Sequence, residues 1–185
     1  MERAVAYDQL AGLIEYPAAD YRERAARCVQ LLEREHFEAD LLLAAFARRA
    51  ESLTVEALQE AYIQSFDMNT NAALEVGWHL FGENYDRGVF LVKMRQEMRR
   101  LGLAESTELP DHLSHVLRVL GRLESPAAEE FAHEFVLPAL AKMRAGLNGL
   151  ESPFGNVLEA IQLVLEAQHP RPAACSRPPE LRVLA

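Results

Sequence analysis

The histidine and carboxylate side chains are the first candidates for chemistry, because together they could hold a metal ion. Glu130 and His133 form an ExxH pair, whose two side chains share one face of a helix. A di-iron helical bundle requires two such pairs and two further glutamates on facing helices. Because glutamate-rich helices produce an ExxH pair by chance, a metalloenzyme built on this pair, with His112 or His115 as a further ligand, is the weaker hypothesis.

Covalent catalysis has less support in the sequence. There is no GxSxG nucleophile elbow and no glycine-rich phosphate loop. The two cysteines, Cys28 and Cys175, lack CxxC spacing, so they indicate neither a disulfide framework nor a thiolate metal site. We therefore expect a protein that is not an enzyme and that holds no cofactor.

A mixed polar and apolar segment, Glu108-Leu109-Pro110-Asp111-His112-Leu113, is the remaining candidate. It lies where a loop is expected to meet a helix. Its carboxylates could simply complement the dipole at a helix start, with the proline in the first turn. They could equally bind a cationic partner. In the second case, Asp111 and His112 should project from the loop end of the helix while Leu113 turns inward.

The elements that must position these residues are helical almost throughout, since apolar residues recur with a period near 3.6. We predict an all-α, single-domain bundle of about nine helices, with no strand. The first helix ends at Tyr16, the second covers 19–35, the third covers 38–51, and the fourth runs from Thr54 through Phe66. The fifth holds Leu74 to Phe81, the sixth ends at Gly102, and the seventh begins at Pro110. The eighth begins near Pro126 and bends or breaks at Pro138, and the ninth runs from Ser152 to Gln168.

Composition and charge narrow the function classes. The net charge of −9 disfavours general binding to nucleic acid, which needs concentrated Lys and Arg. No apolar run approaches the roughly 20 residues that a transmembrane helix needs, and no signal peptide is recognisable, so we expect a cytoplasmic protein that does not insert into membranes. We assign residues 1–168 to one helical domain and the proline-rich residues 169–185 to a disordered tail that client binding does not need.

Three separated segments resemble one known family, the NarJ chaperones, also called nitrate reductase delta subunits. The segment at 108–113 resembles the family's ELPDHL signature. Residues 61–67, Ala-Tyr-Ile-Gln-Ser-Phe-Asp, resemble its Y-x-x-x-F-D segment, and Asp86-Arg87-Gly88 before an apolar helix resembles its R-G-x-x-L segment. The resemblance runs from about Leu10 to Ala167, and it departs at the thinned aromatic stretch 72–74.

This resemblance implies a fold of the TorD-like redox-enzyme chaperones. It implies that the chain binds the N-terminal segment of the apo catalytic subunit of a respiratory nitrate reductase, and supports molybdenum cofactor insertion, as monomer or homodimer. A sister interpretation keeps the fold but changes the client to another molybdoenzyme with a twin-arginine signal. The expected peptide-binding residues are Tyr62, Phe66, Asp67, Arg87, Glu108, Leu109, Pro110, Asp111 and His112.

Overall fold

The computed structural model describes residues 3–32 and 37–170, and these residues form nine helices connected by short loops. The all-α prediction is confirmed: the β-type pairing among these residues is a single isolated bridge between Glu75 and His112. None of the helices in the described ranges is long and apolar enough to cross a membrane. The helices are α1 (Arg3–Leu13), α2 (Tyr21–Leu32), α3 (Phe37–Glu51), α4 (55–67), α5 (Val76–Phe81), α6 (Tyr85–Arg100), α7 (Leu113–Leu120), α8 (127–146) and α9 (Phe154–Gln168).

The last helix, α9, forms the centre of the core. It packs against α3 and α8, while α1 packs against α7 and α2. Its predicted apolar stripe is confirmed, because all six of its members are fully buried: Phe154, Val157, Leu158, Ile161, Val164 and Leu165. At its first residue, the Phe154 ring lies 5.6 Å from that of Tyr62 and 5.4 Å from that of Phe66, both edge to face. The core therefore fixes two residues of the expected binding site.

Several helix ends follow from local sequence, as predicted. The Thr54 hydroxyl accepts a hydrogen bond from the backbone N–H of Ala57 and caps α4. Gly102 ends α6 with φ of +67°, and the N–H of Leu103 donates to the carbonyl of Met98, which is the hydrogen bond of a Schellman motif. Before α9, the Ser152 hydroxyl accepts from the N–H of Phe154.

Two of the helices contain a π-turn, a wider turn with one extra residue. In α4 the π-turn covers Ile63–Asp67, at the end of the helix that was predicted to run through Phe66. In α8 it covers Ala132–Val136 and ends two residues before Pro138. The expected interruption at Pro138 therefore takes the form of a widened turn rather than a break, and the helix continues as Leu137–Gly146.

The predicted start of α7 at Pro110 is wrong. The helix begins at Leu113, and its N-cap is His112, whose Nδ1 accepts a hydrogen bond from the backbone N–H of Ser114 at 3.2 Å. The carbonyl of Leu109 instead accepts from the N–H of His112, which closes a turn before the helix. Because a histidine supplies the cap, Asp111 is free for a different role.

The boundary of the predicted tail is also wrong by at least one residue. His169 is fully buried, its Nε2 lies 2.8 Å from the hydroxyl of Tyr7, and its carbonyl accepts from Nε2 of His133 at 2.8 Å. The last turn of the chain described by the structure is therefore packed against α1 and α8. The remainder of the predicted tail, 171–185, lies outside the described residues.

Ending the chain after Gln168 should therefore lower the free energy of unfolding by about 1–3 kcal/mol, because the buried Tyr7 hydroxyl loses its partner. Ending it after Pro170 keeps that contact and is the matched control. Chemical denaturation of both truncated proteins and the full chain measures the difference. Equal stability of the two truncated proteins would show that His169 contributes nothing to the core.

Candidate functional site

A cleft of about 270 Å³ lies where the end of α4, the loop after it and the loop before α7 meet. We call it the acidic cleft. It brings together five of the nine residues predicted from sequence, although they come from two distant segments. Its lining residues are Tyr62, Phe66, Asp67, Thr70, Ala73, Leu74, Glu75, Glu108 and His112.

The floor of the acidic cleft is aromatic. The rings of Tyr62 and Phe66 lie 5.1 Å apart in an edge-to-face arrangement, and both residues are almost entirely buried. The Tyr62 hydroxyl donates to the carbonyl of Ile14 at 3.1 Å, so the ring is fixed to the residue that follows α1. The π-turn of α4 begins one residue after Tyr62 and ends at Asp67. This widened turn sets the directions of Phe66 and Asp67 relative to Tyr62.

The isolated β-bridge joins the two walls of the cleft. The N–H of Leu113 donates to the carbonyl of Leu74, and the N–H of Val76 donates to the carbonyl of Asp111, both at 2.8 Å. Glu75 and His112 form the bridge pair between these two hydrogen bonds. The segment 108–113 is thereby fixed against the start of α5, which explains how residues 37 positions apart line one cleft.

Three carboxylates edge the cleft: Asp67 and Glu108 are exposed, and Glu75 is half-buried. Among the described residues, none of the three forms an ion pair within 4 Å. Burial raises the pKa of Glu75, and the neighbouring charges of Asp111 and Glu108 raise it further, while Arg87 lowers it. Burial likewise raises the pKa of Asp67. Such a cleft favours a cationic group, which would relieve the repulsion between its carboxylates.

His112 supplies a hydrogen-bond donor in this otherwise acidic lining. Its Nδ1 accepts from the N–H of Ser114, so the proton of the neutral ring resides on Nε2. Burial lowers the pKa of His112 to about 3, and electrostatic interactions with His115 and Arg118 act in the same direction. The ring is therefore neutral at pH 7, and its Nε2–H has no partner among the hydrogen bonds of the described residues.

Asp111 does not project from the loop, contrary to the sequence prediction, and neither does His112. Asp111 is 0% exposed and His112 is 2% exposed, whereas Leu113 is buried as predicted. Asp111 accepts a hydrogen bond from Nε of Arg87 at 3.2 Å, and this ion pair connects α6 to the segment before α7. Burial raises the pKa of Asp111, and the adjacent Arg87 guanidinium partly offsets that effect.

The Arg87–Asp111 pair leaves no space for a side chain at position 77. A Cβ atom on Gly77 would lie 2.8 Å from Oδ2 of Asp111 and 3.1 Å from the ring of Phe90. Glycine is therefore required in the first turn of α5 if the ion pair is to form. Two predicted site residues, Arg87 and Asp111, thus do not line the cleft but stabilise its wall through their ion pair.

The remaining two predicted residues do not line the acidic cleft. Leu109 is 46% exposed beside it, and Pro110 is buried. The carbonyl of Leu109 accepts from Nδ1 of His115 at 2.9 Å, and Nε2 of His115 lies 3.0 Å from the Ser106 hydroxyl. These two contacts fix the loop that carries Glu108. Exposed Leu109 adds an apolar edge next to the carboxylates.

Sequence reasoning missed four lining residues: Thr70, Ala73, Leu74 as a cleft residue, and Glu75. Glu75 is the most consequential of them, because it contributes a carboxylate with a raised pKa. The sequence placed Glu75 inside the fifth predicted helix, whereas in the structure it directly precedes α5. Trp78, which also lies on α5, is half-buried, and the Arg87 guanidinium lies 5.7 Å from its ring centroid.

The described residues do not form the alternative metal site that the ExxH pair suggested. Within residues 3–32 and 37–170, no three His, Cys, Asp or Glu side chains are grouped so that they could hold a metal ion. His133 is engaged with the carbonyl of His169, and His112 and His115 lie in and beside the acidic cleft. The candidate ligands Glu130, His133 and His112 are therefore not assembled into one site.

The sequence profile of the family described as nitrate reductase delta subunit matches residues 19–159. A Bacillus subtilis protein named as the probable nitrate reductase molybdenum cofactor assembly chaperone NarJ is 24% identical over 169 residues, which cover 89% of this chain and 90% of the relative. The nitrate reductase molybdenum cofactor assembly chaperone NarJ of Escherichia coli K12 is 28% identical over 153 residues, covering 80% of this chain. That match spans 64% of the Escherichia coli protein's length.

Proposed function

Because the chain belongs to the nitrate reductase delta subunit family, we propose that it is an assembly chaperone for the catalytic subunit of a nitrate reductase. In this proposal it acts in the cytoplasm and holds the N-terminal segment of the apo subunit while the molybdenum cofactor is inserted. Two relatives carry the name of such a chaperone. The identity of the client and the choice of its N-terminal segment as the bound part are both included in the proposal.

The observation that supports peptide binding most directly is the acidic cleft. Its three carboxylates have no ion-pair partner among the described residues, and they surround the floor formed by Tyr62 and Phe66. A peptide segment that combines a basic residue with apolar ones fits this chemistry. Its cation would lie between Glu75 and Glu108, and its apolar side chains would contact Phe66 and Leu74.

His112 would fix the orientation of the bound segment. If the bound segment contributed only a cation to the cleft, the Nε2–H of His112 would have no acceptor. A backbone carbonyl of the client can accept that hydrogen bond, as it does in most peptide complexes that use main-chain contacts. Arg87 and Asp111 act as positioning residues in this proposal, because they hold the wall of the cleft without lining it.

The same cleft suits the sister interpretation, in which the client is another molybdoenzyme with a twin-arginine signal. Paired guanidinium groups would also satisfy adjacent carboxylates, and Arg–carboxylate pairs are frequently bidentate. The two interpretations differ in the client and not in the site. An array of N-terminal peptides from several molybdoenzymes therefore separates them by the peptide that binds most tightly.

A test in cells uses an affinity-tagged chain in its native host, grown under conditions that induce nitrate reductase. We expect the apo catalytic subunit to co-purify with the wild-type chain and to be largely lost with the double variant Glu75→Gln/Glu108→Gln. The variant Glu51→Gln is the matched control, because Glu51 is exposed at the end of α3 and lines no part of the cleft. Equal recovery of the subunit with all three chains would contradict the proposed site.

A further inference from the structure

A second cleft, of about 660 Å³, lies on the other side of the loop that follows α4. We call it the basic cleft. Trp78, His79, Lys142 and Asn148 line it, and Thr70 lines both this cleft and the acidic one. The two clefts are therefore adjacent parts of one surface, separated only by the loop 70–73.

Hydrogen bonds hold this loop as a fixed wall between the two clefts. The indole N–H of Trp78 donates to the carbonyl of Thr70 at 3.1 Å, and Nε2 of His79 donates to the carbonyl of Ala73 at 2.7 Å. On the far side, the loop backbone lies so close to α8 that a Cβ atom on Gly146 would overlap the carbonyl oxygen of Asn71. A bound chain must therefore pass over Thr70 rather than displace the loop.

The charge of the basic cleft is opposite to that of its neighbour. Among the described residues that line it, Lys142 is the one charged side chain. Its ammonium group donates one hydrogen bond, to the carbonyl of His79 at 2.7 Å, and it is exposed. An ammonium group has three donors, so two remain for a ligand. Burial lowers the pKa of His79, so that ring is neutral at pH 7 and adds no second cation.

Trp78 provides the apolar part of the same cleft. Its ring is half-buried, so one part of the indole remains accessible. A half-exposed indole beside an ammonium group matches a ligand that carries a carboxylate next to an apolar side chain. Because Thr70 is common to both clefts, one continuous segment can reach both.

We propose that the basic cleft is a second subsite for the same client segment, and that it binds an acidic side chain of that segment while a basic side chain occupies the acidic cleft. This inference rests on the proposed function, because it assumes that the acidic cleft binds a peptide. It adds a rule of specificity: the bound segment must carry both charges, in an order that matches the two clefts. A segment with basic residues alone would bind only half of the surface.

Calorimetric titration with synthetic peptides tests this rule. The parent peptide has the N-terminal sequence of the host's nitrate reductase catalytic subunit, and in a series of variants each acidic residue is replaced by lysine. We expect Lys142→Glu to weaken binding of the parent peptide by about three- to tenfold. The same chain should bind one member of the lysine series more tightly than the parent peptide. The matched control Arg48→Glu makes the same charge change on an exposed part of α3 and should leave all affinities unchanged.

The outcomes separate this inference from the proposed function. If Glu108→Gln weakens binding while Lys142→Glu does not, the second subsite is contradicted and the acidic cleft still stands. If neither substitution changes the affinity, both proposals are contradicted. Loss of binding to Lys142→Glu without recovery by any peptide of the lysine series would also overturn the inference, provided that circular dichroism shows the variant folded.

Discussion

Replacing Arg87 with methionine should lower the free energy of unfolding at pH 7 by about 3–4 kcal/mol. The substitution keeps much of the side chain's apolar volume but leaves the carboxylate of Asp111, which is 0% exposed, without its cationic partner. This loss in the free energy of unfolding has an upper limit, because Asp111 can become neutral by binding a proton. At pH 7 that costs about 4 kcal/mol for a carboxyl group with an ordinary pKa, and less for one whose pKa is raised.

Urea denaturation measures this loss, and a second variant controls for the removal of any arginine. Arg95 pairs with Glu105 at the surface, where both side chains are about half exposed, so Arg95→Met should cost less than about 1 kcal/mol. The effect of Arg87→Met should also shrink as the pH falls toward 5, because protonation of Asp111 becomes easier. A loss equal to that of Arg95→Met at every pH would show that the buried pair does not hold the wall.

Acidification from pH 6.5 to about pH 5 should reduce the free energy of unfolding steeply. Burial lowers the pKa of His112 to about 3 and that of His169 to about 4, against an ordinary value of 6.5. Below pH 6.5 the unfolded chain therefore binds protons at these positions that the folded chain does not. The unfolded state is favoured as protons are added, so the stability that these histidines provide at pH 7 is lost as the pH falls. Each contributes a slope that rises from about 0.7 kcal/mol per pH unit at pH 6.5 toward about 1.4 kcal/mol per pH unit near pH 5.5.

Opposite contributions come from the buried carboxylates and limit this window at its acidic end. Burial raises the pKa of Glu75 and of Asp111, so these groups take up protons more readily in the folded chain and favour it as the pH falls through their titration range. The protonation of these carboxyl groups therefore reduces the net loss of stability that the histidines cause.

A variant without the two histidines tests their part in this dependence. His112→Asn keeps an acceptor for the N–H of Ser114 at the helix cap, and His169→Gln keeps a polar group near the Tyr7 hydroxyl. The double variant should be less stable at pH 7 but should lose about 2 kcal/mol less than the wild-type chain on going from pH 6.5 to 5.5. Parallel stability curves for the two chains would show that these histidines are not the groups responsible.

The parts of the fold that sequence predicted correctly depend on contacts between near neighbours. Thr54 and Ser152 at helix starts, and Gly102 at a helix end, act within a few residues of the backbone groups they satisfy. The stripe of α9 follows from periodicity alone. The predictions that failed concern residues whose environment is formed by distant parts of the chain. Asp111 is buried because Arg87 and Gly77 enclose it, and His169 is buried because its Nε2 forms a hydrogen bond with the Tyr7 hydroxyl.

The candidate site divides in the same way. Family resemblance brought Tyr62, Phe66, Asp67, Glu108 and His112 to attention, and the structure assembles all five around one cleft. The family resemblance could not indicate Glu75, whose position depends on a bridge to His112 across 37 residues of chain. Nor could it distinguish residues that line the cleft from Arg87 and Asp111, which support it from behind. Such roles require the tertiary structure.

The most direct test of the central proposal is calorimetric titration of the client's N-terminal peptide against the purified chain at low and high salt. At about 0.05 M salt we expect Glu75→Gln/Glu108→Gln to bind at least about tenfold more weakly than the wild-type chain, with Glu51→Gln unchanged. At about 1 M salt the difference should shrink, because exposed charges are then screened within about 3 Å. Equal affinities of the wild-type chain and the double variant at both salt concentrations would contradict the account, since the acidic cleft would then play no part in holding the client.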